Sequence, residues 1–262
     1  MDLKLSGQTV LITGASQGIG AVLAKTFAGE GCNLVLVARS QDKLEALQSE
    51  LKASHPDLAV EIAAEDLASE GSATRLADRF GDKVDVLVNN AGSVPGGNLW
   101  AVDEARWRQG WELKVMGYIN LTRAFYQHMR DRGHGVIVNN IGAGGELYDF
   151  EYIAGTTGNA ALMAFTRALG GRSLEHGIRV VGVNAGPVAT DRIVKIMRER
   201  AEKEFGDPEQ CARLFERLPR GRAASPQEIS DMIVFLASPR SDYTTGVIMT
   251  IDGGMTSNKS IT

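Results

Sequence analysis

Seven short apolar runs, separated by longer stretches, constrain the fold of this chain more than any other feature. The runs cover residues 9–12, 33–37, 60–63, 84–88, 136–139, 179–183 and 247–251. Short, mostly apolar runs of this kind are typical of parallel strands that are buried on both faces. The longer stretches have helical periodicity at residues 18–30, 41–53, 103–130, 158–174 and 226–237. Right-handed crossovers would join these elements into an α/β fold, a doubly wound parallel sheet with helices on both faces.

The length and composition favour one large domain. The chain has 262 residues, of which 44% are hydrophobic, and α/β folds often reach ~250 residues without splitting. We therefore expect a single domain over residues 1–262. One charged, proline-containing segment, residues 190–221, reads as a helical insertion, and it follows a strand end, where a substrate lid would lie. The alternative is a solvated helical excursion without a role.

Charge and residue usage argue against several classes of partner. The net charge is −4 without a basic block, so nucleic acid is not an expected partner. No apolar run approaches the ~20 residues that span a bilayer, and no secretion signal is visible, so we expect no membrane association. The two cysteines and four histidines are scattered, which predicts neither a disulfide nor a metal site. These features favour a cytoplasmic protein.

A glycine-rich loop, Thr-Gly-Ala-Ser-Gln-Gly-Ile-Gly at residues 13–20, follows the first strand and opens the first helix. Glycine lets the backbone turn sharply and approach a pyrophosphate closely, and the helix amino end offers N–H groups to the phosphates. The alternative is a tight strand–helix turn that binds nothing. The candidate cofactor-binding residues of this loop are Gly14, Ser16, Gln17, Gly18, Ile19 and Gly20.

Three further motifs follow the ends of predicted strands. Asp66 and Leu67 follow the third strand, Asn-Asn-Ala-Gly at 89–92 follows the fourth, and Asn-Ala-Gly-Pro-Val-Ala-Thr at 184–190 follows the sixth. With the glycine spacing of the first loop and a matching tail at 221–254, these motifs resemble the short-chain dehydrogenase/reductase family over residues ~5–255. The resemblance implies a Rossmann-like fold and a nicotinamide cofactor. Besides the glycine-rich loop, it assigns to the cofactor Asp66, Leu67, Asn90, Ala91, Gly92, Asn159, Pro187, Val188 and Thr190.

The end of the second strand bears on the choice of cofactor. An acidic residue there would bind both ribose hydroxyls and repel a 2′-phosphate, but this chain has Ala38, followed by Arg39 and Ser40. Since arginine pairs well with phosphate, we expect NADP(H) to be favoured over NAD(H). The family often has a second arginine where this chain has Gln17. The alternative for Arg39 is an ordinary surface charge.

The resemblance also locates the catalytic positions of the family, and all of them differ here. The helix Asn-Ala-Ala-Leu-Met-Ala-Phe-Thr-Arg-Ala-Leu at 159–169 aligns without a gap and puts Asn159 on the catalytic lysine. The tyrosine position then falls on Gly155 and the serine position on Gly142. A fourth family residue, an asparagine, falls near Lys114. Without the lysine ammonium, a phenol with an ordinary pKa of about 10 has little reason to ionise near neutral pH.

Two replacements for the lost chemistry are conceivable. Tyr152 or Tyr148 could reach the cleft from the loop before that helix, and Lys114 could supply a positive charge from the other side. Alternatively, the tyrosines are loop aromatics that pack under the lid, and Lys114 is solvated or paired with Glu112 or Asp149. Tyr152 and Lys114 are our candidate catalytic residues.

Three functions remain open at this stage. The first is an oxidoreductase that interconverts a small alcohol and its carbonyl with a non-standard acid/base set. The second is a cofactor-binding protein without redox turnover, which acts as a sensor or assembly partner. A lyase on the same fold is disfavoured because the phosphate-binding glycines are present. By resemblance, a homodimer or homotetramer is expected, formed by the helices at 103–130 and 158–174, where Gly158, Ala160, Ala161 and Ala164 would allow close approach.

Overall fold

The computed structural model describes residues 1–258, which contain a parallel sheet of seven strands. The strands are β1 (Thr9–Thr13), β2 (Asn33–Ala38), β3 (Val60–Ala64), β4 (Val86–Asn89), β5 (Gly135–Asn140), β6 (Ile178–Ala185) and β7 (Ile248–Ile251). Their order across the sheet is β3-β2-β1-β4-β5-β6-β7, and all neighbouring strands are parallel. Each predicted apolar run overlaps one strand, so the predicted doubly wound α/β fold is confirmed.

Helices cover both faces of the sheet. They are α1 (Gly18–Gly29), α2 (Gln41–Ser54), α3 (Ser72–Phe80), α4 (Glu104–Trp111), α5 (Gly117–Arg132), α6 (Gly144–Leu147), α7 (Ile153–Gly170), α8 (Asp191–Phe205), α9 (Cys211–Glu216) and α10 (Pro226–Ala237). Because successive strand residues point to opposite faces, β1 contributes to two cores. Val10 and Ile12 pack in the core under α1 and α10, whereas Leu11 packs in the core under α3 and α5. In residues 1–258, every helix is too short or too polar to cross a membrane.

The helix predicted over residues 103–130 is interrupted. Residues Glu112–Met116 form a π-helical turn between α4 and α5. A π turn holds one residue more than an α turn, so it bulges the backbone, and such bulges are frequent at functional sites. Apolar periodicity continues through the bulge, which is why the sequence predicted a single helix. Lys114 lies in the middle of this turn.

Two other helices differ from the prediction. Helix α7 begins at Ile153 rather than at residue 158, because its first turns contain small residues, such as Ala154 and Gly155, that carry little apolar periodicity. Helix α3 was not predicted. It is short, and its buried positions lie between charged residues such as Arg75 and Asp78.

The segment at 190–221 follows β6 and folds into α8, α9 and two short 3₁₀ turns at Pro208–Gln210 and Pro219–Gly221. It has a small apolar cluster of its own, in which Met197 and Ala201 of α8 pack with Leu214 of α9. This cluster holds the two helices together without contributing to the two main cores.

Strand β1 lies between β2 and β4, so the strand order reverses there. In doubly wound sheets, a ligand binds in the crevice at this switch point, outside the carboxyl ends of the strands. The glycine-rich loop after β1 and the loop after β4 border this crevice.

Arg179 of β6 is a buried cation that closes the end of α10. Its Nη1 donates to the carbonyl oxygen of Leu236 at 2.7 Å, and its Nη2 donates to those of Ala237 and Ser238, each at 3.0 Å. The residue is only 4% exposed. A guanidinium there satisfies carbonyl groups that the helix end leaves without partners.

We expect Arg179→Met to lower the free energy of unfolding by about 3 kcal/mol, because buried carbonyl groups would lose charged donors. Urea denaturation of the purified protein measures the change. The control is Arg172→Met, since Arg172 forms an exposed ion pair with Glu175 and the loss of such a pair should change stability little. Equal losses in the two variants would contradict the capping role.

Candidate active site

The glycine-rich loop forms a phosphate cradle at the start of α1. The residue before the helix, Gln17, is extended and makes no side-chain capping hydrogen bond. Gly14 and Gly18 have positive φ angles of 66° and 58°. A Cβ atom on Gly20 would lie 2.2 Å from the carbonyl oxygen of Gly14, so only glycine fits there. The uncapped amino end and the close backbone approach fit the pyrophosphate of a dinucleotide.

The loop after β4 is tied to this cradle. The Nδ2 of Asn90 donates to the carbonyl oxygen of Thr13 at 2.9 Å, and the Nδ2 of Asn140 donates to Oδ1 of Asn90 at 2.9 Å. A Cβ atom on Gly14 would be 3.0 Å from Cα of Ala91. Asn90 therefore joins the carboxyl ends of β1, β4 and β5 in one rigid wall.

The remaining predicted cofactor residues lie at the same edge of the sheet. Asp66 is exposed and Leu67 is buried just after β3. The carbonyl of Pro187 accepts from the backbone N–H of Ala224 at 2.9 Å, which holds the loop after β6. From that loop, Cγ2 of Thr190 lies 3.5 Å from the position of a Cβ on Gly18. Val188, 7% exposed, forms an isolated bridge with Ala224.

The end of β2 lies near a cation that the sequence did not single out. Arg39 is exposed just after β2, and Ser40 precedes α2. From the first turn of α2, the Nζ of Lys43 donates to Oε1 of Gln17 at 2.9 Å. The position where the family often has a second arginine is thus reached by a lysine from α2. The one feature of the sequence that could have pointed to Lys43 is that it follows Arg39 by four residues.

Asn159 and Gly142, which the sequence alignment predicts at the lysine and serine positions of the family, lie side by side. Asn159 is 3% exposed, and its Nδ2 lies 3.2 Å from the position of a Cβ on Gly142, where φ is +124°. Its Oδ1 has no hydrogen-bond partner in the described part of the chain. A buried amide oxygen without a donor is costly, so this atom fits a donor from a bound ligand, such as a ribose hydroxyl.

Tyr152 occupies the space above Gly155. A Cβ atom on Gly155 would lie 2.0 Å from Cζ of Tyr152, so the phenol ring lies where the side chain of a residue at 155 would begin. The ring belongs to an apolar cluster with Val94, Val102 and Ala154. Burial raises the pKa of Tyr152, and the nearby Arg192 opposes that rise.

Lys114 extends from the π turn toward β5. Its methylene stem lies against Gly92, where an added Cβ would be 2.8 Å from Cδ of Lys114, and its Nζ donates to the carbonyl oxygen of Ile141. Burial lowers the pKa of Lys114 from 10.5 to about 7, and the charge of Arg192 adds to the effect. Both the amine and the ammonium are then populated near neutral pH.

Two of the alternatives for these side chains do not fit the structure: an ion pair of Lys114 with Glu112 or Asp149, and packing of Tyr148 under the helical segment. Lys114 pairs with neither acid considered above, and Asp149 instead accepts from Arg200 at 3.0 Å. Tyr148 neither enters the cleft nor packs under the helical segment, because it is 76% exposed and has a positive φ of 47°. A Cβ atom added at Gly158 would lie 3.2 Å from Nε1 of Trp111, so this glycine allows close packing within the chain.

Arg192 is a site residue that the sequence did not reveal. It is the second residue of α8, and its guanidinium donates to the carbonyl oxygens of Gly92 at 3.3 Å and Val94 at 3.2 Å and to the hydroxyl of Tyr152 at 3.5 Å. The one feature of the sequence that could have pointed to Arg192 is that it follows the predicted cofactor residue Thr190 by two residues. The structure thus brings the cations of Lys114 and Arg192 together with Tyr152, next to Gly92 and Gly155.

Known proteins resemble this chain over nearly its whole length. The family model described as Enoyl-(Acyl carrier protein) reductase matches residues 14–256. Oxidoreductase UcpA of Salmonella typhimurium is 35% identical over 98% of both chains. Galactitol 2-dehydrogenase (L-tagatose-forming) of Cereibacter sphaeroides is 34% identical over 97% of this chain and 96% of its own. L-sorbose reductase of Gluconobacter frateurii, in a crystal structure with NADPH and L-sorbose, has a TM-score of 0.88 at 33% identity and covers 100% of both chains.

The lowered pKa of Lys114 predicts a pH dependence of stability. The folded chain releases the Lys114 proton at about pH 7 and the unfolded chain near 10.5, so between these values only the unfolded chain holds it. The free energy of unfolding therefore rises with pH across this window. Below pH 7 we expect Lys114→Met to be more stable than the parent by about 2 kcal/mol, a reduced figure because the side chain still reaches solvent.

Urea denaturation at a series of pH values measures this effect, and the gain should vanish as the pH approaches 10.5. The exposed Lys52 in the last turn of α2 provides the control, since Lys52→Met also removes a lysine but not a buried one. A pH-independent difference for Lys114→Met would show that its proton affinity is ordinary.

Proposed function

The chain belongs to the short-chain dehydrogenase/reductase family of NAD(P)(H)-dependent oxidoreductases, and on that premise we propose that it uses NADP(H) and a displaced acid/base set to interconvert a small alcohol and its carbonyl compound. The observation that carries the proposal is the ring of Tyr152 above Gly155. The side chain that the family places at 155 is absent, but a phenol from one helical turn earlier fills its space. A tyrosine hydroxyl is therefore still present at the cleft.

The glycine-rich loop and Asn159 would hold the nicotinamide cofactor, which would supply or accept the hydride. Tyr152 donates a proton to the substrate oxygen during reduction and takes it back during oxidation. Lys114 is anchored on the carbonyl of Ile141, next to Gly142, so its ammonium is available to polarise the substrate carbonyl in place of the family serine.

Charges at the ribose end support NADP(H). Arg39 and Lys43 bring two positive charges to the end of β2, and Ala38 brings no carboxylate that would repel a 2′-phosphate. The Lys43–Gln17 hydrogen bond puts the lysine ammonium at the glycine-rich loop.

The substrate in this proposal is a small polyhydroxylated alcohol or ketose, which the names of galactitol 2-dehydrogenase and L-sorbose reductase suggest. Glu146, four residues after Gly142, offers acceptors for such hydroxyls. Its Oε1 accepts from Asn184 at 2.8 Å and from Thr250 at 3.3 Å, so the carboxylate is fixed in position. The segment at 190–221 acts as the lid, and we expect a homodimer or homotetramer as in the family.

The direct test is turnover with a tyrosine variant. NADPH oxidation is followed with a panel of ketoses and small carbonyl compounds, and Tyr152→Phe is expected to lower kcat by about 10²-fold or more, because proton transfer is lost while the ring stays in place. Tyr148→Phe is the matched control and should keep full activity, since Tyr148 is exposed. An active Tyr152→Phe enzyme would remove Tyr152 from the mechanism.

A second candidate function is a cofactor-binding protein without turnover, favoured by glycine at two catalytic positions, Gly142 and Gly155. In that case NADPH fluorescence would shift on binding, but no substrate of the panel would be reduced. Any clear NADPH oxidation by the parent that the Tyr152→Phe variant lacks would reject this alternative.

Cofactor preference gives a separate prediction. We expect the double variant Arg39→Ala, Lys43→Ala to bind NADPH about tenfold more weakly or worse, while NADH binding changes little, because only the 2′-phosphate loses its charged partners. Fluorescence titration of both cofactors measures the two dissociation constants. Lys52→Ala, at the other end of α2, is the control. Equal losses for NADPH and NADH would contradict the assignment.

A further inference from the structure

We propose that Arg192 is a positioning residue that replaces the charge of the family's catalytic lysine, stabilising the ionised form of Tyr152 from the lid side of the cleft. This inference rests on the role of Tyr152 proposed above. In this proposal, the cation that allows Tyr152 to act as an acid and a base comes from α8, outside the family's catalytic helix.

The contacts of Arg192 place its guanidinium against the cleft wall. Its Nη1 donates to the carbonyl oxygen of Gly92, after β4, at 3.3 Å, and its Nη2 donates to that of Val94 at 3.2 Å. The same Nη2 lies 3.5 Å from the hydroxyl of Tyr152, at the start of α7. Arg192 thus joins the lid segment both to the loop after β4 and to the start of α7. Its two hydrogen bonds to backbone carbonyls hold its charge beside the phenol of Tyr152.

The charge of Arg192 is not neutralised by a neighbouring acid. None of the ion pairs within residues 1–258 includes Arg192. The acids on the loop before α7 are engaged elsewhere, since Asp149 accepts from Arg200 at 3.0 Å and Glu151 accepts from Asn98 at 3.2 Å. Asp191, beside Arg192, is exposed. The positive charge is therefore available to the tyrosine.

Lys114 is the other cation near the cleft, but it does not serve the same purpose. Its pKa is lowered to about 7, so it loses its charge in the alkaline range where a phenol ionises. A guanidinium stays protonated at all accessible pH values. Arg192 also contacts the Tyr152 hydroxyl directly, whereas Lys114 is anchored to Ile141. Arg192 is thus the cation that can stabilise the phenolate.

The chemical step balances with these groups. During reduction, the carbonyl carbon receives the hydride from the reduced nicotinamide, and the Tyr152 O–H bond breaks as its proton moves to the substrate oxygen. The phenolate that remains is stabilised by Arg192 until solvent returns a proton. Because Arg192 belongs to the lid segment, Tyr152 receives this charge only when α8 lies against Gly92 and Val94.

The test measures the ionisation of Tyr152 in the protein without cofactor or substrate. Tyrosinate absorbance is titrated in the alkaline range where circular dichroism shows the chain to be folded. Each background is compared with its own Tyr152→Phe partner, which removes the signals of the other four tyrosines. We expect Arg192→Gln to raise the pKa of Tyr152 by about one unit, Arg192→Lys to leave it near the parent value, and Arg200→Gln, later in α8, to leave it unchanged.

The kinetic counterpart follows from the same shift. Alcohol oxidation needs the phenolate, so its rate rises as the pH approaches the pKa of Tyr152. A pKa raised by one unit would lower that rate about tenfold at a fixed pH below it and move the rise to higher pH. Simple loss of lid contacts would raise KM without moving the pH profile.

The outcomes separate this inference from the proposed function. An unchanged Tyr152 pKa in folded Arg192→Gln would overturn the inference, even in an active enzyme. A raised pKa in a protein without any turnover would keep the pairing of Arg192 and Tyr152 and would reject the proposed function instead.

Discussion

The hydrogen bonds around Thr13 hold the binding crevice together. The Oγ1 of Thr13 accepts from the backbone N–H groups of Asn90 at 2.8 Å and Ala91 at 2.9 Å and donates to the carbonyl of Val88 at 3.3 Å. These bonds join the ends of β1 and β4 at the point where the strand order reverses. Where a loop leaves the end of a strand, several backbone N–H and C=O groups lose their partners in the sheet. Here the buried hydroxyl of Thr13 supplies hydrogen bonds to three such groups. The glycine-rich loop, Asn90 and Gly92 take their positions from this junction, and Lys114 packs on Gly92.

In the candidate active site, charged and aromatic side chains surround a group of positions that carry no acid or base. Gly142, Gly155 and Asn159 supply space rather than acid/base groups, and side chains from three other places fill or border that space. Tyr152 covers Gly155, Lys114 reaches Ile141 from the π turn, and Arg192 comes from α8. Because electrostatic effects depend on distance and burial rather than on sequence position, the same proton-transfer chemistry can be assembled from different residues.

Much of the site was predictable because it is local in sequence. The glycine-rich loop and the motifs after β3, β4 and β6 each combine a strand end with a few neighbouring residues, so their order and their resemblance to the family indicated the crevice. Lys43 and Arg192 were not predicted, because each acts on a residue far away in the chain, Gln17 and Tyr152 respectively. The π turn was also missed, since its apolar positions continue the helical pattern of α4 and α5.

The sequence by itself determined the architecture: seven apolar strands and the glycine cradle at the switch point. Those conclusions depend on periodicity and order along the chain, which sequence records directly. Only the tertiary structure decided that Tyr152 rather than Tyr148 lies in the cleft, that Lys114 turns toward Ile141 and that Arg192 faces the phenol. These facts depend on which surfaces pack together across the sheet, and packing between distant segments leaves no periodic signal in the sequence.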